Sequence, residues 1–122
     1  MLIIQGVLIA FFLFASSIKI LGWIKVIYEP QLAFFHKYGL NRSSMLAVGV
    51  VEATGAIGML AGLISGELLL SALGAGLITL TSVGAMYFHF KFDTWKEAIP
   101  SILTFLLSLP LLSPLLDFAI NR

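Results

Sequence analysis

Long apolar runs broken by short polar stretches organise this chain. The runs cover residues 2–23, 44–64, 68–90 and about 97–118. A helix needs about 20 predominantly apolar residues to cross a bilayer, so each run is read as a transmembrane helix. The pattern predicts an all-α, polytopic membrane four-helix bundle, in one domain spanning residues 1–122.

Residues 24–43 are the longest polar stretch and hold Lys25, Glu29, Pro30, His36, Lys37 and Arg42. Pro30 is expected to bar a continuous helix there. Leu32, Phe34, Phe35 and Tyr38 make the stretch amphipathic. It is therefore expected to lie along the membrane interface or to fold back as a partial cap. Gly39 should end this piece, and Asn41 or Ser43 should cap the next helix. Only Ser65-Gly66-Glu67 joins the second and third runs, which makes them antiparallel neighbours. Thr94-Trp95-Lys96-Glu97 fits the capping box Ser/Thr-x-x-Glu and predicts a helix start near Thr94. Pro100 then falls in the first turns, while Pro110 and Pro114 should kink or loosen the end of the fourth helix.

Composition changes the solvent. Hydrophobic residues make up 60% of the 122 and charged residues 11%, against about 25% charged in a soluble domain. A chain this short cannot hide such an apolar excess inside itself, so the surrounding medium must be lipid. The net charge of +1 gives no reason to expect nucleic acid as a partner. The absence of cysteine removes disulfide exchange, thiolate catalysis, iron–sulfur clusters and zinc–cysteine sites. No nucleotide-binding loop, metal-ligand constellation or nucleophile elbow is present in the sequence, so no catalytic residue and no metal site is assigned. The start, Met1-Leu2-Ile3-Ile4-Gln5, lacks a positive n-region. The apolar run also continues past Ala15-Ser16-Ser17, so a retained helix is expected rather than a cleaved signal.

Positive charge is unevenly placed. Lys25, Lys37, Arg42, Lys91 and Lys96 fall on one membrane side, opposed only by the amino terminus and Arg122. The positive-inside rule then makes loops 24–43 and 91–96 cytoplasmic, in a bacterial-type inner membrane. Thr54, Gly58 and Gly62, with Gly49 and Ala53, and Ala72 with Gly76, are small residues at helical spacing. They suit close helix packing in lipid, within the bundle or across a homo-oligomer face.

One carboxylate stands out against this background. Glu52 lies inside an otherwise uncharged apolar run, where a charge costs roughly 2.5–3.5 kcal/mol on insertion scales. It lies about eight residues, or roughly 12 Å, from the start of its helix at 1.5 Å per residue. Lys19, about 6 Å inside Trp23 by the same rise, and His89, at the end of the third run, occupy the same half of the membrane. Lys19 alone could snorkel to the headgroups, and His89 could belong to an aromatic belt with Tyr87, Phe88 and Phe90. Glu52 cannot reach the interface, so it is a structural ion pair, a protonated carboxyl or a functional group. Ser16 shares the face of Lys19, and Gly55 and Ala56 could open a small space beside Glu52. Ser82, Tyr87 and Trp23 could line the same region. One carboxylate, one amine and one imidazole suit a polar lipid headgroup, a quinone carbonyl or a partner's polar side chain.

Ala15-Ser16-Ser17-Ile18-Lys19-Ile20, Lys37-Tyr38-Gly39-Leu40, Val51-Glu52-Ala53-Thr54-Gly55-Ala56-Ile57-Gly58-Met59-Leu60 and Gly84-Ala85-Met86-Tyr87-Phe88-His89-Phe90 occur in that order. Taken together they resemble the DoxX and DoxX-like family of small four-helix membrane proteins. The resemblance implies that Lys19, Glu52 and His89 form the polar core of the bundle. It implies no single chemistry, because some relatives are linked to thiosulfate:quinone oxidation, others to stress responses, and a distant animal branch to receptor assembly.

The expectation is therefore a non-catalytic membrane module that binds a membrane lipid, a quinone or a membrane-protein partner through Lys19, Glu52 and His89. A quinone-linked redox subunit and an assembly factor for a membrane complex are the alternatives.

Overall fold

A computed structural model describes residues 2–120 of the chain. Met1, Asn121 and Arg122 lie outside the described residues, so the two charges set against the lysine-rich side are not among them. The described chain is helical almost throughout: α1 (Leu2–Leu21), α2 (Lys25–Lys37), α3 (Arg42–Ser65), α4 (Leu68–Phe92), α5 (Trp95–Ser108) and α6 (Ser113–Ile120). A 3-10 turn, Leu109–Leu112, joins the last two, where Pro110 and Pro114 interrupt the α-helical ladder. Among the described residues, four stretches are long and apolar enough to cross a membrane: Leu2–Leu21, Arg42–Ser65, Leu68–Phe92 and Trp95–Ile120.

The helix ends follow local chemistry. Gly22, with a φ of 65°, stops α1 before Trp23. The Asn41 side chain accepts from the Ser44 amide at 3.0 Å and starts α3 at Arg42, two residues before the apolar run begins. Gly66, with a φ of 77°, makes the tight reversal into α4. Thr94 and Glu97 form the reciprocal capping box of α5.

Pro30 does not interrupt its segment, contrary to the sequence expectation. It sits inside the continuous helix α2. A proline removes one hydrogen bond to the carbonyl four residues back. Here that residue is Val26, and both Val26 and Pro30 face outward, where the freed carbonyl is not trapped. The helix buries no residue fully, and its amphipathic face lies against one end of the bundle.

The bundle turns many large apolar side chains outward and packs a mixture of large and small ones inside. Ile3, Ile64, Leu80 and Leu103 are exposed, while the centre is built from Leu8, Phe12, Ala56, Met59, Ala75 and Ile78. This arrangement suits lipid, where close packing rather than water exclusion drives helices together. Neighbours run α1–α3–α4–α5, with α1 and α5 only lightly in contact. The α3–α4 seam is closest: a Cβ on Gly55 would come 2.9 Å from the Gly74 carbonyl oxygen, and one on Gly62 would overlap the Ser71 backbone. Gly55 and Gly62 are thus used within the bundle, whereas Thr54 faces outward. Hydroxyls join α4 to α5, with Thr79–Ser108 and Ser82–Thr104 both at 2.7 Å.

Candidate functional site

Gly49 brings the first two members of the site together. A Cβ there would lie 2.9 Å from the Lys19 Cβ, so the glycine lets α1 and α3 approach closely at the level of Lys19. Glu52 follows Gly49 by three residues and shares its face. Lys19 Nζ lies 3.1 Å from Glu52 Oε1, and both side chains are nearly enclosed, at 12% and 9% exposure. Oε1 receives no aligned hydrogen bond, so the contact is an ion pair rather than a directed bond. Burying two charges is costly, and their mutual attraction offsets the cost only when neither is left alone.

The pair stands on the wall of a cavity of about 530 Å³. Val48 and Val51 of α3, Leu80 and Phe88 of α4, and Phe34 and Phe35 of α2 supply its apolar lining. A second cavity of about 300 Å³ extends towards α5, bounded by Phe12, Ser82, Ser101 and Thr104. Lys19, Gln31, Phe34, Glu52, Thr81 and His89 line both, so the two spaces meet at the polar cluster.

α2 covers this cluster and is fastened by its last residues. The Tyr38 hydroxyl donates to Asp93 Oδ2 at 2.7 Å and lies 3.0 Å from His89 Nδ1. His89 Nδ1 is 2.9 Å from the same Asp93 oxygen, while Lys37 pairs with Oδ1. The Asp93 side chain is only 2% exposed. Burial works against its ionisation, but the bonds from Lys37, Tyr38 and His89 prevail and lower its pKa to about 2. Burial, followed by the bond to Asp93, pushes the Tyr38 phenol above its ordinary range. Tyr38 also stacks on Phe88 with ring centroids 5.1 Å apart, and Phe34 meets the His89 ring edge-on at 5.9 Å. At the other end of α2, the Arg42 guanidinium donates to the Ile20 carbonyl at 2.7 Å and covers the Tyr28 ring.

The family's sequence model matches residues 3–111. The chain belongs to the DoxX-like family. No curated protein and no solved structure matched it. Family and apolar helices together make this DoxX-like chain an integral, multi-pass membrane protein.

Of the residues named from sequence, the structure joins Lys19 to Glu52 and sets His89 on the same cavities. His89 bonds Tyr38 and Asp93 rather than Glu52. Ser82 lines the smaller cavity. Ser16 is buried and bonds back to the Leu13 carbonyl, and Gly55 and Ala56 pack into the bundle, away from the cavity lining. Trp23 and Tyr87 face outward: the Trp23 indole donates to Ser17, and the Tyr87 hydroxyl accepts from Lys91. Their bulk is better accommodated at the lipid side than between close-packed helices. Gln31, Tyr38 and Asp93 were not singled out as site residues. Asp93, one helical turn beyond His89, was the available signal.

Proposed function

We propose that this DoxX-like protein is a non-catalytic membrane module that binds an amphiphilic ligand or a partner segment at the Lys19–Glu52 pair. The observation that carries this reading is the enclosed ion pair on the wall of a 530 Å³ cavity lined mainly by apolar side chains of α2, α3 and α4, with Gln31, Tyr38, Thr81 and His89 as its other polar members. Such a space offers a polar anchor at one edge and apolar walls along the rest, the usual division of a small-molecule site. A membrane lipid, a quinone or an apolar segment of another membrane protein fits that division. A quinone-linked redox subunit would use the same anchor for the quinone head. An assembly factor would offer it to a protein partner.

The test is native mass spectrometry from mild detergent on the wild type and Glu52→Gln, with extraction of the same samples. A lipid or quinone retained by the wild type and lost from a folded Glu52→Gln supports ligand binding. A stable heteromer lost in the variant supports the assembly role. Equal cargo in both proteins, or none in either, overturns the reading.

The charge count supports a bacterial inner-membrane orientation with loops 24–43 and 91–96 cytoplasmic. The chain has no cysteine, so Lys96→Cys provides a unique label. Reaction of intact spheroplasts with an impermeant maleimide at that position would reverse the orientation.

A further inference from the structure

The smaller cavity is a furrow along the seam between α1 and α5, two helices only lightly in contact. Phe12, Ala15 and Lys19 line it on successive turns of α1, and Glu97, Ser101 and Thr104 do so on α5. Its chemistry changes with depth. Lys19, in the last turn of α1, and Glu97, in the first turn of α5, set charges at one end. Farther in, the Ser101 and Thr104 hydroxyls already bond the Ala98 carbonyl, the Ser101 carbonyl and the Ser82 hydroxyl, so they require no further partner. Phe11, 47% exposed, and the exposed Pro100 stand at the lips, so the furrow opens on the bilayer.

The titratable groups in its lining are Lys19, Glu52, His89 and Glu97. Lys19 and Glu52 offset each other, and Asp93 behind His89 is offset by Lys37. His89 Nδ1 lies 2.9 Å from the Asp93 carboxylate, which only accepts, so Nδ1 carries the proton of the neutral ring. Glu97 forms no ion pair among the described residues, which leaves one negative charge over. Its Oε2 serves the Thr94 cap, and its Oε1 is free to accept. Glu97 is exposed, so this oxygen is within reach of a ligand head.

We propose that the furrow holds a phospholipid with a primary-ammonium head. The ammonium is held by Glu97, the phosphate by the Lys19 ammonium, and an acyl chain lies along the α1–α5 seam. This names the ligand of the binding role argued above and rests on it. A primary ammonium supplies the positive charge that the lining lacks, together with N–H donors for a charge-assisted bond. A quaternary ammonium supplies the charge without the donors. An anionic head adds a second uncompensated negative charge beside Glu97. The furrow also has the direction of a bilayer lipid, with its charged end towards the interface and its apolar length inward.

The test uses the full-length protein in mild non-ionic detergent with an equimolar mixture of three lipids. Their palmitoyl-oleoyl tails are identical, and their heads are phosphoethanolamine, phosphocholine and phosphoglycerol. Native mass spectrometry reads the bound lipid. The ethanolamine lipid is expected to bind about fivefold more tightly than the glycerol lipid, the scale of a charge pair at a partly exposed site, with choline between them. Glu97→Gln retains the helix cap, because glutamine also serves at that position. It should abolish most of the preference, with circular dichroism unchanged. Glu29→Gln is the control, since it removes the same charge from the outward face of α2, away from both cavities. It should leave the preference intact. Equal loss in the two variants would trace the preference to interfacial charge and overturn the site. Equal binding of the three heads, or a preference for the glycerol head, overturns the ammonium assignment; cargo still lost from Glu52→Gln would leave the binding role standing. Displacement by glycerophosphoethanolamine, which has no acyl chain, would overturn the bilayer as the source. If the wild type holds neither lipid nor other cargo, the assignment and the binding role both fail.

Discussion

The Tyr38 hydroxyl, just past the end of α2, donates to the buried carboxylate of Asp93 at the end of α4 across 2.7 Å. This bond, with the Lys37–Asp93 ion pair, holds the covering helix against the bundle. α2 itself buries no residue fully, so few other contacts compete with these. Tyr38→Phe removes the donor and keeps the stacking on Phe88. It should cost about 1.5–3 kcal/mol locally, the range for a bond to a charged group. Hydrogen exchange of residues 25–37 should rise, while α3 and α4 retain their protection. Unchanged exchange in α2 would mean that the aromatic contacts alone hold it.

Asp93 also sets an acid limit. Its pKa is lowered from 3.8 to about 2, against burial, by bonds from Lys37, Tyr38 and His89. A depressed folded pKa contributes stability that is fully present above the unfolded value and is lost as pH falls through the folded one. The advantage of wild type over Asp93→Asn should therefore hold from neutrality down to about pH 4–5 and shrink towards pH 2. Melts across that range, in a non-ionic detergent, measure it. A difference that grows as the pH falls would contradict the sign.

The close α3–α4 seam makes a third prediction. A Cβ at Gly62 would overlap the backbone of Ser71, which cannot move without displacing α4. Gly62→Ala should destabilise the bundle by about 1–3 kcal/mol, the scale of overpacking. Gly6→Ala is the control, because nothing lies within 4 Å of its added carbon. It should be neutral or slightly stabilising through helix propensity. Thermal unfolding of both variants in one detergent decides the comparison.

Gly62 shows what the sequence made legible. Its spacing of four from Gly58 within an apolar run announced a helix that packs closely in lipid, and run length alone located the four spans. Glu52 was conspicuous for a related reason: one carboxylate in a long apolar run demands a partner, and Lys19 stood at a matching depth. Gln31, Tyr38 and Asp93 were harder to recognise because they lie in or beside polar segments, where an amide, a phenol or a carboxylate is unremarkable. Their role depends on α2 being helical and folding over the α4 end. Pro30 argued against that helix, since sequence does not tell whether the carbonyl a proline leaves free faces inward or outward. His89 was placed near Glu52 by depth, but its bonds were decided by Tyr38 arriving from α2.

The Lys19–Glu52 pair yields the last prediction. Removing one partner leaves the other enclosed and uncompensated, a loss of about 3–5 kcal/mol in buried pairs. Lys19→Met should therefore destabilise strongly. Glu52→Gln should do so less, because its amide keeps an acceptor for Lys19 and the lysine's stem can carry its ammonium towards the interface. The double variant Lys19→Met/Glu52→Leu removes both charges and restores balance, so its melting temperature should recover to near that of wild type. Ligand retention should not recover with it. A double variant that is stable and still holds the wild-type cargo would show that the pair serves the bundle alone. A double variant that is stable and empty would separate the two roles, leaving the fold to helix packing and the ligand to the charges.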